Sequence, residues 1–146
     1  MMNAMKDTCV PADGDLRAWN ERMNGSIGQS LPMRIEHVAK DLVVIRMDVT
    51  PRTHQPFGIM HGGVSVVLAE SAASIGATVN APRGMVAVGQ EINANHLRPK
   101  SDGEVTATAV PLHIGRASQV WGIEIRDERG KLISVSRCTL ANVEAP

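Results

Sequence analysis

The residues with the clearest chemical potential lie in one segment, GIMHGGVSVVLAESAAS, at positions 58–74. Glu70 stands in the middle of its apolar run, and a carboxylate among apolar residues is unfavourable unless it is paired or used. There it could serve as a general base that takes a proton from water. The structural alternative is a glutamate that forms an ion pair with an arginine at a subunit interface.

The start of the same segment suits a different task. His61, Gly62 and Gly63 precede the apolar run and mark the beginning of a helix. Backbone N–H groups in the first helical turn have no partner within the helix, and the helix dipole favours negative charge there. Glycines let another molecule approach that backbone, which suits an oxyanion developing on a carbonyl. A tight turn capped by glycine is the structural alternative.

The spacing of His61 and Glu70 constrains how one site could contain both. Nine positions separate them, equivalent on a helix to about 13 Å of rise and about two and a half turns. The two side chains therefore face opposite sides. If both are catalytic, His61 must come from one chain and Glu70 from another, so the hypothesis requires at least a dimer.

Three more polar residues are candidates for the same chemistry. Ser74 lies four residues after Glu70, on the same helical face, and could orient a water or the carboxylate. Gln55, in the loop before His61, could donate a hydrogen bond to a substrate carbonyl. His96 ends a strand-like run, where alternation places it on one face with its apolar residues. The structural alternatives are that Ser74 is merely tolerated on the helix, that Gln55 is an ordinary loop residue and that His96 belongs to the core.

The elements that must position these residues follow from the periodicity of apolar residues. The pattern predicts a short helix at 16–23 and a long helix at 61–79. The long helix is apolar nearly all round, which is typical of a buried helix. A membrane span is the competing interpretation, disfavoured by Glu70, by several small polar residues and by marginal length.

Period-two alternation predicts six strands, at 33–38, 42–49, 85–97, 104–113, 118–126 and 131–143. DERG at 127–130 is expected to form the hairpin turn between the last two. In the strand at 85–97 we expect one face to carry Val86, Val88, Ile92, Ala94 and His96. A long helix against mostly antiparallel strands is an α+β pattern, in a single domain at 16–143 after a flexible tail at 1–15.

Composition excludes several classes of function. Fifteen Lys and Arg balance fifteen Asp and Glu, with no basic block for nucleic acid. The start of the chain lacks an apolar core of signal-peptide length, and Cys9 and Cys138 form no Cys-x-x-Cys pair, so we expect a cytoplasmic protein without a disulfide. His54 and His61 lack zinc-ligand spacing, and no phosphate loop or dinucleotide fingerprint is present. We therefore expect neither a metal nor a separate cofactor.

HGGVSVVLAESAASIGA resembles the central helix of hotdog-fold acyl-CoA thioesterases. Together with the upstream Gln, the downstream His and GRASQVWGIEI at 115–125, it is similar to the branch of the Arthrobacter-type 4-hydroxybenzoyl-CoA thioesterase. That branch also includes hydrolases of 1,4-dihydroxy-2-naphthoyl-CoA. The resemblance runs from about Trp19 to Leu140 and implies a long helix wrapped by an antiparallel sheet. It also implies that two such sheets pair into a dimer and two dimers into a tetramer.

The resemblance also implies roles for individual residues. Glu70 matches the catalytic carboxylate, which acts as nucleophile or general base, and Gly62 matches the backbone N–H that polarises the thioester carbonyl. Gln55 and His61 match residues that hold this carbonyl and the helix start, and Ser74 matches the residue that positions water. The positions implied in contacts with the acyl group and coenzyme A are Ile75, Gly89, His96, Leu97, Arg98, Pro99, His113, Ile114, Gly115, Arg116, Ala117 and Ser118.

The activity implied is hydrolysis of an acyl-CoA thioester, with an aromatic or otherwise bulky acyl group, to free acid and CoA. Coenzyme A would be part of the substrate and not a cofactor. A non-catalytic hotdog module that binds acyl-CoA as a sensor or scaffold is the alternative, and a hotdog dehydratase is a third possibility. The combination of Gln55, His61, Glu70 and Ser74 favours the hydrolase.

Overall fold

A computed structural model describes residues 10–145. It contains two α-helices and six β-strands, with short 3-10 turns at Ile27–Gln29 and Pro51–Thr53. In chain order the elements are α1 (Leu16–Asn24), β1 (Met33–Val38), β2 (Val43–Asp48), α2 (Gly62–Asn80), β3 (Met85–His96), β4 (Glu104–Ile114), β5 (Ser118–Asp127) and β6 (Leu132–Glu144). Every predicted helix and strand is present, with bounds within about two residues of those expected from periodicity.

The six strands form one antiparallel sheet in the order β1-β2-β4-β5-β6-β3. Helix α2 lies across one face, and alternate residues of the strands pack against it. The predicted alternation on β2 and β5 is confirmed, since Ile45, Met47, Trp121 and Ile125 are fully buried. The α+β expectation is thus confirmed: one long helix is wrapped by an antiparallel sheet.

Helix α2 begins where the sequence predicts. The Nδ1 atom of His61 accepts a hydrogen bond from the Gly63 N–H at 2.8 Å, which caps the first turn. Small residues on the buried side bring the helix close to the sheet. The backbone at Gly76 lies directly against the Trp121 ring, because a β-carbon there would meet Cη2 and lie 2.7 Å from Cζ3.

The expectation of a buried α2 is confirmed for one side of the helix only. Its buried side carries mainly alanines, whereas Val66, Glu70 and Ser74 are half-exposed. By length and composition alone α2 could span a membrane, but its apolar side packs on the sheet of this domain. An alanine-rich helix contains too little contrast between its faces for the sequence to show which side is covered.

The predicted face of β3 is confirmed for Ile92, Ala94 and His96 but is wrong for Val86 and Val88, because the strand contains a bulge. Gly89 and Glu91 oppose the consecutive β6 residues Leu140 and Thr139, so one residue of β3 is extra. The bulge inverts the alternation. Ile92, Ala94 and His96 therefore share the helix-facing side with Ala87 and Gly89, whereas Val86 and Val88 lie on the opposite side.

The first turn of α1 is fixed by Asp15, whose carboxylate accepts from the Ala18 N–H. The Asn20 side chain ties α1 to β1, because its amide donates to the Ile35 carbonyl and accepts from the Ile35 N–H. Of the predicted tail, residues 1–9 lie outside the described part of the chain. Pro11 is buried, and the Gly14 N–H donates to the Val38 carbonyl, so residues 10–15 pack against the domain.

Candidate active site

A cavity of about 300 Å³ opens beside the first turn of α2. Its walls come from three segments that are distant in sequence: the loop before α2, the turn after β3 and the start of β6. The lining residues are Gln55, Ile59, Met60, Gly62, Ser65, His96, Leu97, Arg98, Pro99, Lys100 and Ile133. Five of the residues predicted to bind substrate, together with Gly62, therefore surround one space: Gln55, His96, Leu97, Arg98 and Pro99.

Gly62 is the first helical residue of α2, and no group among residues 10–145 accepts its N–H. The His96 imidazole lies against its α-carbon, since a β-carbon on Gly62 would be 2.8 Å from His96 Nε2. Only glycine fits beneath this ring. The N–H is left open to the cavity at the positive end of the helix dipole, which suits a ligand carbonyl that gains negative charge.

Gln55 is held in a turn that places its side chain at the same cavity. Its N–H donates to the Ile59 carbonyl, and its carbonyl accepts from the Gly58 N–H. The side-chain Oε1 accepts from the Phe57 N–H. Because this bond occupies the oxygen, the Gln55 amide nitrogen is the group left to donate to a ligand. Phe57, at the tip of the turn, is 89% exposed.

The turn after β3 forms the second wall and is tied to its neighbours on both sides. The Arg98 guanidinium donates to the Leu132 carbonyl, and the Met60 N–H donates to the Lys100 carbonyl. The Lys100 ammonium, 9% exposed, contacts both carboxylate oxygens of Glu128 at 2.8 and 2.6 Å. This contact lowers the pKa of Glu128 to about 2. The cavity wall is therefore anchored to the β5–β6 hairpin.

Glu70 lies away from this cavity, on the half-exposed side of α2 beside β3. Its carboxylate touches Gly89, where a β-carbon would lie 3.2 Å from Glu70 Cδ. No cation among residues 10–145 forms an ion pair with Glu70. The buried Cys138 thiol is close enough to sense this charge. Desolvation, with the negative charges of Glu70 and Glu91, raises the pKa of Cys138 to about 11.

The structure therefore separates Glu70 from Gly62 within one chain. Eight helical residues correspond to about 12 Å along α2. Ser74 follows Glu70 one turn later and is half-exposed, and the neighbouring Ile75 is buried. His61 is exposed at the helix start, where its ring caps the first turn. The predicted catalytic residues thus form two groups on one chain, as the helical spacing indicated.

The β4–β5 turn lies at the opposite end of α2. The Gln119 side chain beside this turn donates to the Ala77 carbonyl at 2.7 Å. Ala77 is fifteen residues, or about 22 Å, along the helix from Gly62. Two sets of predicted CoA contacts consequently lie far apart on one chain: Leu97, Arg98 and Pro99 at the cavity, and His113, Ile114, Gly115, Arg116, Ala117 and Ser118 at the turn.

Sequence reasoning missed several residues that line the cavity or hold its walls. Ser65, 2% exposed, faces the cavity one turn after Gly62, and Lys100 and Ile133 complete its far side. Ser65 could have been identified from its place one turn into the helix. Lys100 and Ile133 carried no motif, since their position depends on how the turn after β3 meets β6. No three metal-ligating side chains gather among residues 10–145.

The match to a known family covers the loop before α2, the helix and the strands up to the start of β6. Residues 57–134 match the thioesterase superfamily. The chain belongs to this superfamily. It is 52% identical over 113 residues to a 1,4-dihydroxy-2-naphthoyl-CoA hydrolase of Listeria monocytogenes, covering 77% of this chain and 92% of that protein. It is 45% identical over 126 residues to the Escherichia coli enzyme of that name, covering 86% and 93%.

A solved structure of a thioesterase from Haemophilus influenzae has the same fold, with a TM-score of 0.85 and 44% identity. The alignment covers 89% of this chain and 91% of that one. The hotdog fold expected from the resemblance is confirmed, and so is the class of enzyme, a thioesterase. The sensor, scaffold and dehydratase alternatives lose their support.

Proposed function

We propose that this thioesterase hydrolyses acyl-CoA thioesters with an aromatic or otherwise bulky acyl group. It would fall in the branch that includes the 4-hydroxybenzoyl-CoA and 1,4-dihydroxy-2-naphthoyl-CoA enzymes. The observation that carries the proposal is the open Gly62 N–H at the helix start, facing a cavity with Gln55 and His96. The substrate named for the Listeria and E. coli relatives, an aromatic acyl-CoA, supports the acyl group proposed.

In the proposed reaction the thioester carbonyl oxygen receives the Gly62 N–H and the Gln55 amide as donors. Both strengthen as the oxygen becomes negative, so they stabilise the transition state more than the ground state. Glu70 either attacks the carbonyl carbon itself or removes a proton from a water positioned by Ser74, whose oxygen then bonds to that carbon. The C–S bond then breaks, and the CoA thiolate leaves and takes up a proton. A mixed anhydride with Glu70, if formed, is opened by water.

The separation of Gly62 and Glu70 requires that two chains share each site. Gly62, Gln55 and His61 would come from one protomer and Glu70 and Ser74 from its partner, in a homodimer that can pair further into a tetramer. The CoA moiety would lie between the turn after β3 and a β4–β5 turn, with Arg98 and Arg116 near its phosphates. No other cofactor is required, and we propose a cytoplasmic location.

Glu70→Gln tests the role of the carboxylate on a panel of aromatic and aliphatic acyl-CoAs. We expect kcat to fall by about a hundredfold or more with little change in thermal stability. Glu91→Gln is the matched control, because Glu91 is an exposed carboxylate on the outer side of the same β3 segment. Hydrolysis by Glu70→Gln at a rate close to that of the unmutated enzyme would contradict the mechanism.

Shared sites are tested by mixing two inactive variants. Glu70→Gln removes the carboxylate, and Gly62→Val places a side chain where the His96 ring lies. A hybrid dimer retains one intact site, so random mixing should restore about a quarter of full activity. Fully active monomers, or no recovery despite demonstrated exchange of subunits, would exclude a site built from two chains.

A further inference from the structure

Two buried side-chain amides lie behind the β4–β5 turn, and neither takes part in the proposed chemistry. Asn142 on β6 is 8% exposed, and Gln119 on β5 is fully buried. The Gln119 amide nitrogen donates to Asn142 Oδ1 at 3.0 Å and to the Ala77 carbonyl at 2.7 Å. Its oxygen accepts from the Trp121 indole N–H at 3.1 Å. These contacts tie the turn region to the end of α2.

Asn142 donates hydrogen bonds to three consecutive carbonyls of the turn. Its amide nitrogen donates to the Gly115 carbonyl at 3.2 Å and to the Arg116 carbonyl at 2.9 Å. Its backbone N–H donates to the Ala117 carbonyl at 2.9 Å. All the hydrogen-bonding protons of Asn142 are thereby used on a segment that has no regular strand pairing of its own.

This arrangement determines which way the turn presents its N–H groups. In a planar trans peptide the carbonyl and the N–H of the next residue point in opposite directions. Because the Gly115 and Arg116 carbonyls point at Asn142, the N–H groups of Arg116 and Ala117 point away from it. Arg116 and Ala117 are exposed, so these donors and the guanidinium are offered to the solvent side. Such a set of donors suits an anionic group.

We propose that Asn142, supported by Gln119, is a positioning residue that sets the β4–β5 turn for the nucleotide end of coenzyme A. The inference rests on the proposed function, since it takes the turn to be part of the CoA site. Asn142 touches neither the thioester nor the phosphates and acts through the peptide groups of the turn. Its loss should therefore weaken recognition of CoA while the chemical step is preserved.

The test compares Asn142→Asp with Asn20→Asp. Asn142→Asp replaces the amide donor by a carboxylate, which repels the Gly115 and Arg116 carbonyls. Asn20 is the matched control, because its amide also donates to two carbonyls, of Leu16 and Ile35, but at α1. Each variant is assayed with benzoyl-CoA and with S-benzoyl-N-acetylcysteamine, which lacks the nucleotide. Binding of free CoA is measured by calorimetry.

For Asn142→Asp we expect KM for benzoyl-CoA and Kd for CoA to rise about tenfold, with kcat unchanged. We expect kcat/KM for the N-acetylcysteamine thioester to stay at its original value. Asn20→Asp should change none of these constants. If Asn142→Asp does not fold, Asn142→Ser is measured instead, since it removes the amide without adding charge, and the same pattern is expected.

Three results would overturn the inference: unchanged CoA recognition, an equal loss on both thioesters, or an unmutated enzyme that does not bind CoA. Failure of the proposed function is a separate outcome. An unmutated enzyme that binds CoA but does not hydrolyse acyl-CoAs contradicts the function, whereas weaker CoA binding by Asn142→Asp would still support the role of Asn142.

Discussion

Replacing Gly89 with alanine puts a methyl group on the side of β3 that faces Glu70. The new carbon would lie 3.2 Å from Glu70 Cδ and still closer to Oε1, so the carboxylate has to move. The backbone can accept the change, because Gly89 is not among the glycines with positive φ. The substitution therefore displaces the proposed catalytic group without altering its chemistry.

The expected effects on activity and stability differ in sign. A shift of the carboxylate by about 1 Å lowers kcat by about a hundredfold, or about 2.7 kcal/mol of transition-state stabilisation. Folding should be preserved, because the end of a glutamate side chain moves easily and replacing glycine lowers the entropy of the unfolded chain. The gain from that entropy is about 0.5 kcal/mol. Activity should fall while thermal stability stays level or rises.

The assay is hydrolysis of acyl-CoA followed by release of free thiol, with thermal denaturation of the same samples. Gly122→Ala on β5 is the matched control, since the nearest atoms to its methyl group would be Leu112 side-chain carbons at 3.5 Å, an ordinary contact. A Gly89→Ala enzyme with kcat within about twofold of the original would refute the placement of the reacting carboxylate beside Gly89.

Two further predictions concern the buried side of the domain. Gly76→Ala should destabilise the fold by about 2 kcal/mol in urea titrations, because its methyl group would lie 2.7 and 3.0 Å from two carbons of the enclosed Trp121 ring. An unchanged midpoint would contradict this packing. The pKa of the Cys138 thiol is raised from 9.0 to about 11, because the folded state favours the neutral thiol; this contribution to stability is complete below pH 9 and is lost as pH rises towards 11. The free energy of unfolding should therefore fall by about 2 kcal/mol between pH 9 and pH 11. Cys138→Ala should remove most of that fall, and an equal fall in both proteins would disprove the assignment to Cys138.

Local pattern was sufficient for the secondary structure. The alternation of apolar residues located β2 and β5, and the DERG turn is confirmed, with Gly130 at φ +77. The start of α2 followed from His61 and the glycines after it. These features depend on residues only a few positions apart, so the sequence contains the relevant interactions.

Other features depend on pairing between distant residues. The β3 bulge at Gly89 becomes visible only against the register of β6, where Leu140 and Thr139 are consecutive. Its absence from the prediction put Val86 and Val88 on the wrong face. Lys100 and Ile133 line the cavity for a similar reason: contacts between segments distant in sequence place them there, and no local pattern indicates those contacts.

The catalytic roles of Glu70, His61, Gly62, Gln55 and Ser74 stay predictions. The sequence by itself determined that these residues form two groups on one chain, one at the start of α2 and one around Glu70. Helical geometry separates His61 from Glu70 whatever surrounds them. Only the tertiary structure decided what each group faces: the His96 ring over Gly62, Gly89 against Glu70, and Asn142 behind the β4–β5 turn. Those contacts arise from strand register and helix packing, in which the energy comes from residues far apart in the chain.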